Sequence, residues 1–422
     1  MKLLRGEKLW RVGFAATLIG GTMCPVLIAQ ERVHAVVTSR TVSTNPVASP
    51  GVDAGDYLYI SAQGPGKADG NTPANFARQV RQSLERIKEI VEAAGLSMDN
   101  VVYTQVYLTD ISKAEELNAA FAEYFRKVPP ARAVLGVSNL PEAPVQISAV
   151  AVRNLEGRRA VVPTNFPAST GSSPGVLTYD RLFVSSMAGA DPMSGKVPDD
   201  PAAQVDLALD GMKAVLNAAG IEMSHMVFVN PYMTKDIPAR VMNERYARRF
   251  EFGNTPGRAT IEVTSLPGGA HIEYTGVAVR DLSTRKAIRP KNMPPSPTAS
   301  PCVFAGETLY CSAKSGFIPG AHGGVYGPST AAQLRQTMRN QMDNLEEAGM
   351  EFSEVVSTNV YLDDLADTKS FDKVYGEYFG AVLPARTVIQ QIQPGDRKED
   401  VEGHYPDLEQ MSLIAVKRRS AK

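Results

Sequence analysis

The chain is expected to fold as an α+β protein of three tandem domains, each running ββ(β)αβαββ with its helices on one face of a sheet. Three observations carry this. First, an arginine-bearing strand followed by an apolar last strand occurs at Pro130-Ala-Arg132…Val152, at Thr255–Val279 and at Pro384-Ala-Arg386…Val416, copies lying roughly 125–130 residues apart. Second, a helix end and the strand after it recur with them: Glu92-Ala-Ala-Gly…Leu108, Asn217-Ala-Ala-Gly…Met233 and Glu346-Glu-Ala-Gly…Leu362. Third, an aromatic helix end repeats as Asn118…Phe125, Asn243…Phe250 and Asp372…Phe379. A period this long means tandem domains, because each unit can bury its own core.

Each copy opens with short apolar strands, such as Tyr57-Leu-Tyr-Ile, Leu182-Phe-Val and Leu309-Tyr-Cys. A long helix follows. In copy one Thr72 is the expected N-cap with Pro73 at the first helical position, Val80, Leu84, Ile87 and Val91 form the apolar stripe, and Gly95 closes the helix. Copy two repeats this with Asp200-Pro201, the stripe Val205, Leu209, Met212 and Leu216, and Gly220. Copy three starts near Ser329-Thr330 and ends at Gly349. A strand, a shorter helix and the arginine strand pair complete the unit. In copy two that pair reads as two strands around a Leu-Pro-Gly-Gly turn. Proline-rich linkers run from Asn154 to Pro174 and from Arg289 to Pro297, and copy three carries a polar insertion, Gln393 to Leu408, expected at the surface. The expected boundaries are 36–155, 156–284 and 285–422.

Residues 1–35 read as a leader. Lys2, Arg5, Lys8 and Arg11 precede the mostly apolar run Val12 to Ile28, and Ala29 or Ala35 offers a cleavage site. Export to the periplasm or medium is the expectation, with an uncleaved N-terminal anchor as the alternative. Without Cys24, Cys302 and Cys311 remain. If Gly306-Glu307 is a two-residue turn, they face each other in a non-hydrogen-bonded pair, which predicts a cross-strand disulfide.

Formal net charge is −1 with 21% charged residues, so no basic excess points to nucleic acid. The histidines, His34, His225, His271, His322 and His404, are scattered singly without metal-ligand spacing, and no metal or cofactor is expected. Gly320-Ala-His-Gly-Gly324 lacks the context and lysine of a phosphate loop.

Taken together, the Pro-Ala-Arg start, the Leu-Pro turn, the Val-Ala-Val strand, the Ala-Ala-Gly helix end and the Asn-x-x-(Phe/Tyr) helix resemble the Rid (YjgF/YER057c/UK114) family, three times over nearly the whole chain. The resemblance implies a chorismate-mutase-like fold, with the three copies forming an intramolecular pseudo-trimer and a ligand cleft between each pair of copies. It implies hydrolysis of small enamines and imines, of the 2-aminoacrylate and 2-imino acid type, to the 2-keto acid and ammonia. The family arginine maps onto Arg132, Arg258 and Arg386, and the family glutamate onto Gln146, Glu273 and Gln410. The helix asparagine maps onto Asn118 and Asn243, with Asp372 in copy three. The Ser-Gly-Gln motif becomes Ser61-Ala-Gln63, Ser185-Ser-Met187 and Ser312-Ala-Lys314. The family tyrosine is replaced by Ala48, Ser172 and Ala299, and the cysteine by Val134, Thr260 and Val388.

The chemistry fits those residue types. A guanidinium binds a carboxylate in fork geometry, and a carboxylate can take a proton from the attacking water. A glutamine can orient that water but cannot deprotonate it. Copy two alone holds both arginine and glutamate. The expected site is therefore one cleft with Glu273 as base and Arg258, Asn243, Asn118, Ser185 and Thr260 around the substrate. Arg132 and Arg386 are expected as secondary carboxylate sites in a monomeric pseudo-trimer. The alternative is a non-catalytic exported protein whose clefts hold small carboxylates or that serves protein partners.

Overall fold

The computed structural model describes residues 34–39, 42, 45–66, 72–141, 144–167, 171–291, 293–320 and 323–418. The expected leader and Cys24 lie outside them apart from His34 and Ala35, as does His322. Among the described residues no helix is long and apolar enough to cross a membrane.

Domain 1 contains β1 (Ala35–Val37), β2 (Gly51–Asp53), β3 (Tyr57–Gln63), α1 (Phe76–Ala93), β4 (Val101–Leu108), α2 (Ala114–Tyr124), β5 (Ala131–Gly136) and β6 (Val145–Val152). Domain 2 contains β7 (Arg159–Val161), β8 (Gly175–Leu177), β9 (Arg181–Ala188), α3 (Pro201–Ala219), β10 (Met226–Met233), α4 (Ala239–Ala247), β11 (Gly257–Arg258), β12 (Ile261–Glu262) and β13 (Ile272–Val279). Domain 3 contains β14 (Arg285–Ile288), β15 (Cys302–Ala305), β16 (Thr308–Ser315), a small hairpin of β17 (Ile318–Gly320) and β18 (Gly323–Val325), α5 (Thr330–Glu347), β19 (Val355–Leu362), α6 (Thr368–Tyr375), β20 (Ala385–Gln390) and β21 (Glu409–Val416).

The three sheets share one order: β1-β2-β3-β6-β4-β5, then β7-β8-β9-β13-β10-β11 with β12 also on β10, then β14-β15-β16-β21-β19-β20. The arginine strand and the last strand are therefore not a hairpin. β5, β11 and β20 each run parallel to the strand before the short helix, and that strand separates them from the last strand. The cause is the short helix: β4-α2-β5 and its counterparts are β-α-β units, whose crossover returns the chain parallel. The arginine thus sits on a sheet edge, while Glu273 lies in the sheet interior, paired with Tyr232 on one side and Ala188 on the other.

The helices follow the apolar stripes. Val80, Leu84, Ile87 and Val91 are fully buried on α1, as are Val205, Leu209, Met212 and Leu216 on α3. Burying each such aliphatic side chain stabilises by about 1.5–3 kcal/mol, so Leu84→Ala would cost about 2–5 kcal/mol with its cavity. Asp200 caps α3 by accepting from the Ala202 amide, and Gly220 ends it at φ +80°, where a Cβ would be strained. Ser329 likewise caps α5. The cap of α1 differs from expectation. Asn75 accepts from the Arg78 amide, while the Pro73 carbonyl is taken by the Gln79 side chain, so the helix begins at Phe76.

Each domain has its own core under its helices, and two further apolar clusters draw on all three domains where the sheets face one another. One of these joins Tyr107 and Leu135, Tyr232 and Ile261, and Tyr361 and Ile389. That shared interior makes the chain a pseudo-trimer. In domain 3 the turn at Gly306, with φ +60°, aligns Cys302 with Cys311, and their disulfide spans strands whose Cα atoms are 4.0 Å apart. Much of the insertion of domain 3 is exposed, and Arg397 within it pairs with Asp363 and Asp367.

Candidate active site

Each arginine strand lies along the early strand of the next domain: β5 on β9, β11 on β16, and β20 on β3. The same pin fastens all three. The Ser185 hydroxyl accepts from the Arg132 amide (2.8 Å), Ser312 from the Arg258 amide (2.9 Å), and Ser61 from the Arg386 amide (2.7 Å). Each of these hydroxyls donates in turn to a carbonyl in its own domain, Ser173, Ser300 or Ser49, at 2.6 Å. Ser185 therefore joins two domains through backbone hydrogen bonds rather than facing a substrate.

On the arginine side, the short helix clamps the guanidinium with two residues one turn apart, which share a helix face. Asn118 Oδ1 accepts from Arg132, whose Cζ lies 4.6 Å from the Phe121 ring centre. Asn243 accepts from Arg258 at 2.7 Å, with Tyr246 beneath it at 5.2 Å. In domain 3 the clamp is ionic: Asp372 pairs with Arg386 at 2.6 Å, over Tyr375. Each asparagine thus serves the arginine of its own domain.

The ring order decides which arginine meets which last-strand residue. Gln146 of domain 1 lines one cavity of about 270 Å3 with Arg386 and Asp372 of domain 3. Gln410 of domain 3 donates to the Thr260 carbonyl of domain 2, two residues beyond Arg258, at 3.3 Å, and to Gln391 at 3.2 Å. Glu273 belongs by the same rule to the cleft between domains 1 and 2. The turn before it crosses onto β5, where the Gly136 amide donates to the Ser265 carbonyl and the Thr264 amide to the Gly136 carbonyl. Arg258 and Glu273 therefore occupy different clefts, contrary to the expectation from their shared copy. The β-α-β crossover puts Arg258 on the edge that faces domain 3, and Glu273 on the strand that faces domain 1. Thr260 lies with Arg258 in the cleft between domains 2 and 3.

Between domains 1 and 2, the strand of Arg132 is pinned through Ser185 to β9, whose next residue, Ser186, donates to Glu273. Arg132 is buried, and burial alone holds its pKa down to about 10. Its Nη1 has no hydrogen-bond partner among the described residues. Burying a cation without a countercharge costs several kcal/mol, which an anion entering the cleft would offset. Glu273 is also buried, and desolvation pushes its carboxyl up to about 7 against a hydrogen bond donated by Ser186. His271, two residues before it, is held by Thr234 and Asp236 (3.1 Å to the carboxylate). Burial also lowers the pKa of Arg258, whereas Arg386 has its countercharge in Asp372.

Two contributors were missed in the sequence. The ring beneath each guanidinium stands in the repeated Asn-x-x-(Phe/Tyr) motif, which the sequence alone marks only as a helix end. Ser186 stood in the Ser-Ser-Met variant of the early-strand motif, where Ala62 and Ala313 occupy the other copies.

Known proteins agree with this architecture. A family model described as endoribonuclease L-PSP matches residues 39–153, 164–280 and 292–396. The 2-iminobutanoate/2-iminopropanoate deaminase of Escherichia coli K12 is 39% identical over 108 residues, covering 24% of this chain and 84% of that protein. A RutC family protein of Saccharolobus solfataricus is 38% identical over 109 residues, covering 25% of this chain and 86% of its own length. A solved chorismatase, at 13% identity and a TM-score of 0.51, covers 75% of this chain and 93% of its own, a likeness of fold alone. The chain belongs to the endoribonuclease L-PSP family, the Rid proteins, and carries that domain three times in tandem.

Proposed function

We propose that this protein hydrolyses small 2-imino acids and their enamine tautomers to 2-keto acids and ammonia, in the cleft between domains 1 and 2. The observation that carries this is the buried Arg132 with an unpartnered donor, on a strand pinned to the one whose Ser186 donates to the buried carboxyl of Glu273. The relationship to a named iminobutanoate/iminopropanoate deaminase supports the reaction class.

Arg132 takes the substrate carboxylate through Nη1, while Asn118 and Phe121 fix the guanidinium plane. An enamine gains a proton at its terminal carbon, and an imine one from solvent at its nitrogen; both give the iminium. Glu273 accepts a proton from water as the water oxygen bonds to the iminium carbon and the C=N electron pair moves onto nitrogen. The resulting carbinolamine carries hydroxyl and amine on one carbon. Glu273 returns its proton to the nitrogen, the C–N bond breaks, and the hydroxyl proton leaves as the carbonyl forms. The sum is imine plus water to keto acid plus ammonia. A base near pH 7 suits both proton transfers. Gln410 and Gln146 cannot take that role in the other clefts.

The Cys302–Cys311 disulfide supports the export expected from the leader, since such bonds persist in oxidising compartments. The test is 2-iminopropanoate hydrolysis, with the imine generated in situ by an amino acid oxidase. Arg132→Ala should lose most of the acceleration, and Arg258→Ala should retain it. No acceleration by the wild type overturns the deaminase reading; sensitivity to Arg258→Ala with indifference to Arg132→Ala overturns the choice of cleft.

A further inference from the structure

Ser185, Ser312 and Ser61 each pin an arginine strand, so the residues after them, Ser186, Ala313 and Ala62, occupy equivalent places in the three clefts. The last-strand residues there are Glu273, Gln410 and Gln146. A hydroxyl stands only where a carboxylate stands. The Ser186 Oγ donates to Glu273 Oε2, the hydrogen bond that the structure gives this carboxylate. We propose that Ser186 is the positioning residue of Glu273: by holding Oε2 it leaves Oε1 directed at the reacting water in the cleft between domains 1 and 2. This rests on the deaminase reading for its catalytic consequence, but not for the hydrogen bond itself.

The physical need is specific to a carboxylate. A glutamine carries its own donors as well as an acceptor and can close on backbone, as the half-buried Gln410 does on the Thr260 carbonyl. A buried carboxylate has only acceptors, so a donor must come from elsewhere. The neighbouring charged and titratable groups are engaged otherwise. Tyr232, opposite on β10, exchanges hydrogen bonds with Gln105 of domain 1. His271 is held by Thr234 and Asp236, and Arg132 by Asn118. Ser186→Ala would remove the donor that the structure gives Oε2, and the carboxyl would keep its proton to higher pH.

The experiment follows Glu273 in the full chain by carboxyl carbon NMR during a pH titration without substrate, in the wild type, Ser186→Ala and Ser186→Thr. In Ser186→Ala the titration midpoint is expected to move to higher pH, and kcat/KM for 2-iminopropanoate to fall roughly tenfold at pH 7 with partial recovery in alkali. Ser186→Thr, which keeps the hydroxyl, should restore both. In a Glu273→Gln background Ser186→Ala should cost nothing further, an outcome that a merely structural serine would not produce. An unchanged midpoint in Ser186→Ala, or an equal loss in the Glu273→Gln background, overturns the proposal. If the wild type shows no deaminase activity, the function falls separately, and the midpoint still decides whether Ser186 holds Glu273.

Discussion

The cleft between domains 1 and 2 and the cleft between domains 3 and 1 share a frame and differ in charge. Both have a serine pin, a buried arginine and an aromatic ring beneath it. In the first, asparagine clamps the arginine, and the early strand across the interface carries Ser186, which donates to Glu273. In the second, Asp372 already answers the charge of Arg386, and Gln146 stands where the base would be. Three equal pins close the ring of domains, so the frame is required in every cleft. On the proposed function the chemistry is required in one, and the other two are free to lose it.

Four measurements sharpen or break this comparison. Glu273→Gln is expected to lower kcat/KM for 2-iminopropanoate by roughly 10²–10⁴-fold, whereas Gln146→Ala should leave the rate within about twofold. A comparable loss from both would mean that the two clefts work alike. Asn118→Asp gives Arg132 the partner that Arg386 has, and KM for an anionic imine should rise roughly tenfold or more. Unchanged KM would show that the charge of Arg132 is not what binds substrate. Next, Ser61→Ala, Ser185→Ala and Ser312→Ala should each destabilise the fold by about 1–3 kcal/mol in denaturant unfolding, because each leaves an arginine amide at a domain interface unpaired. Widely unequal values would end the equivalence of the pins.

The smallest effect is on stability against pH. Burial raises the Glu273 carboxyl to about 7, so between its ordinary value near 4.5 and 7 the folded chain keeps a proton that the unfolded chain releases. Stability falls as pH rises through that window and levels above it. Glu273→Gln should remove this part of the fall, on the order of 1–3 kcal/mol, leaving the separate contribution of Glu409, which burial pushes up to about 8. Urea midpoints at pH 5 and pH 8 would read the difference, and identical falls in both proteins would contradict it.

Much of this was legible in the sequence, because local signals carry it. Helical periodicity marks α1 and α3, the repeat with its terminal signals marks α5, the Asp200-Pro201 start marks a cap, and two-residue turn geometry aligns Cys302 with Cys311. Which arginine faces which last strand was not legible. Arg258 and Glu273 are close in sequence and share a motif, but the parallel crossover sets another strand between theirs and turns the two residues toward different neighbours. Parallel pairing and domain order depend on contacts across the whole chain, and no local alternation encodes them. The cap at Asn75 escaped for a lesser reason: Thr72-Pro73 satisfied the same rule three residues too early.

The pin from Arg386 to Ser61 closes the ring without a peptide joint, whereas the other two interfaces are also tethered by linkers. A tether keeps its two domains at millimolar effective concentration even when their contacts part, but domains 3 and 1 are held near each other only through the length of the whole chain. That interface is therefore the gate of the ring. A circularly permuted chain, joined from domain 3 to domain 1 and opened at the linker before domain 3, would move the gate to the cleft of Arg258 and Gln410 and leave the cleft of Arg132 and Glu273 tethered as before.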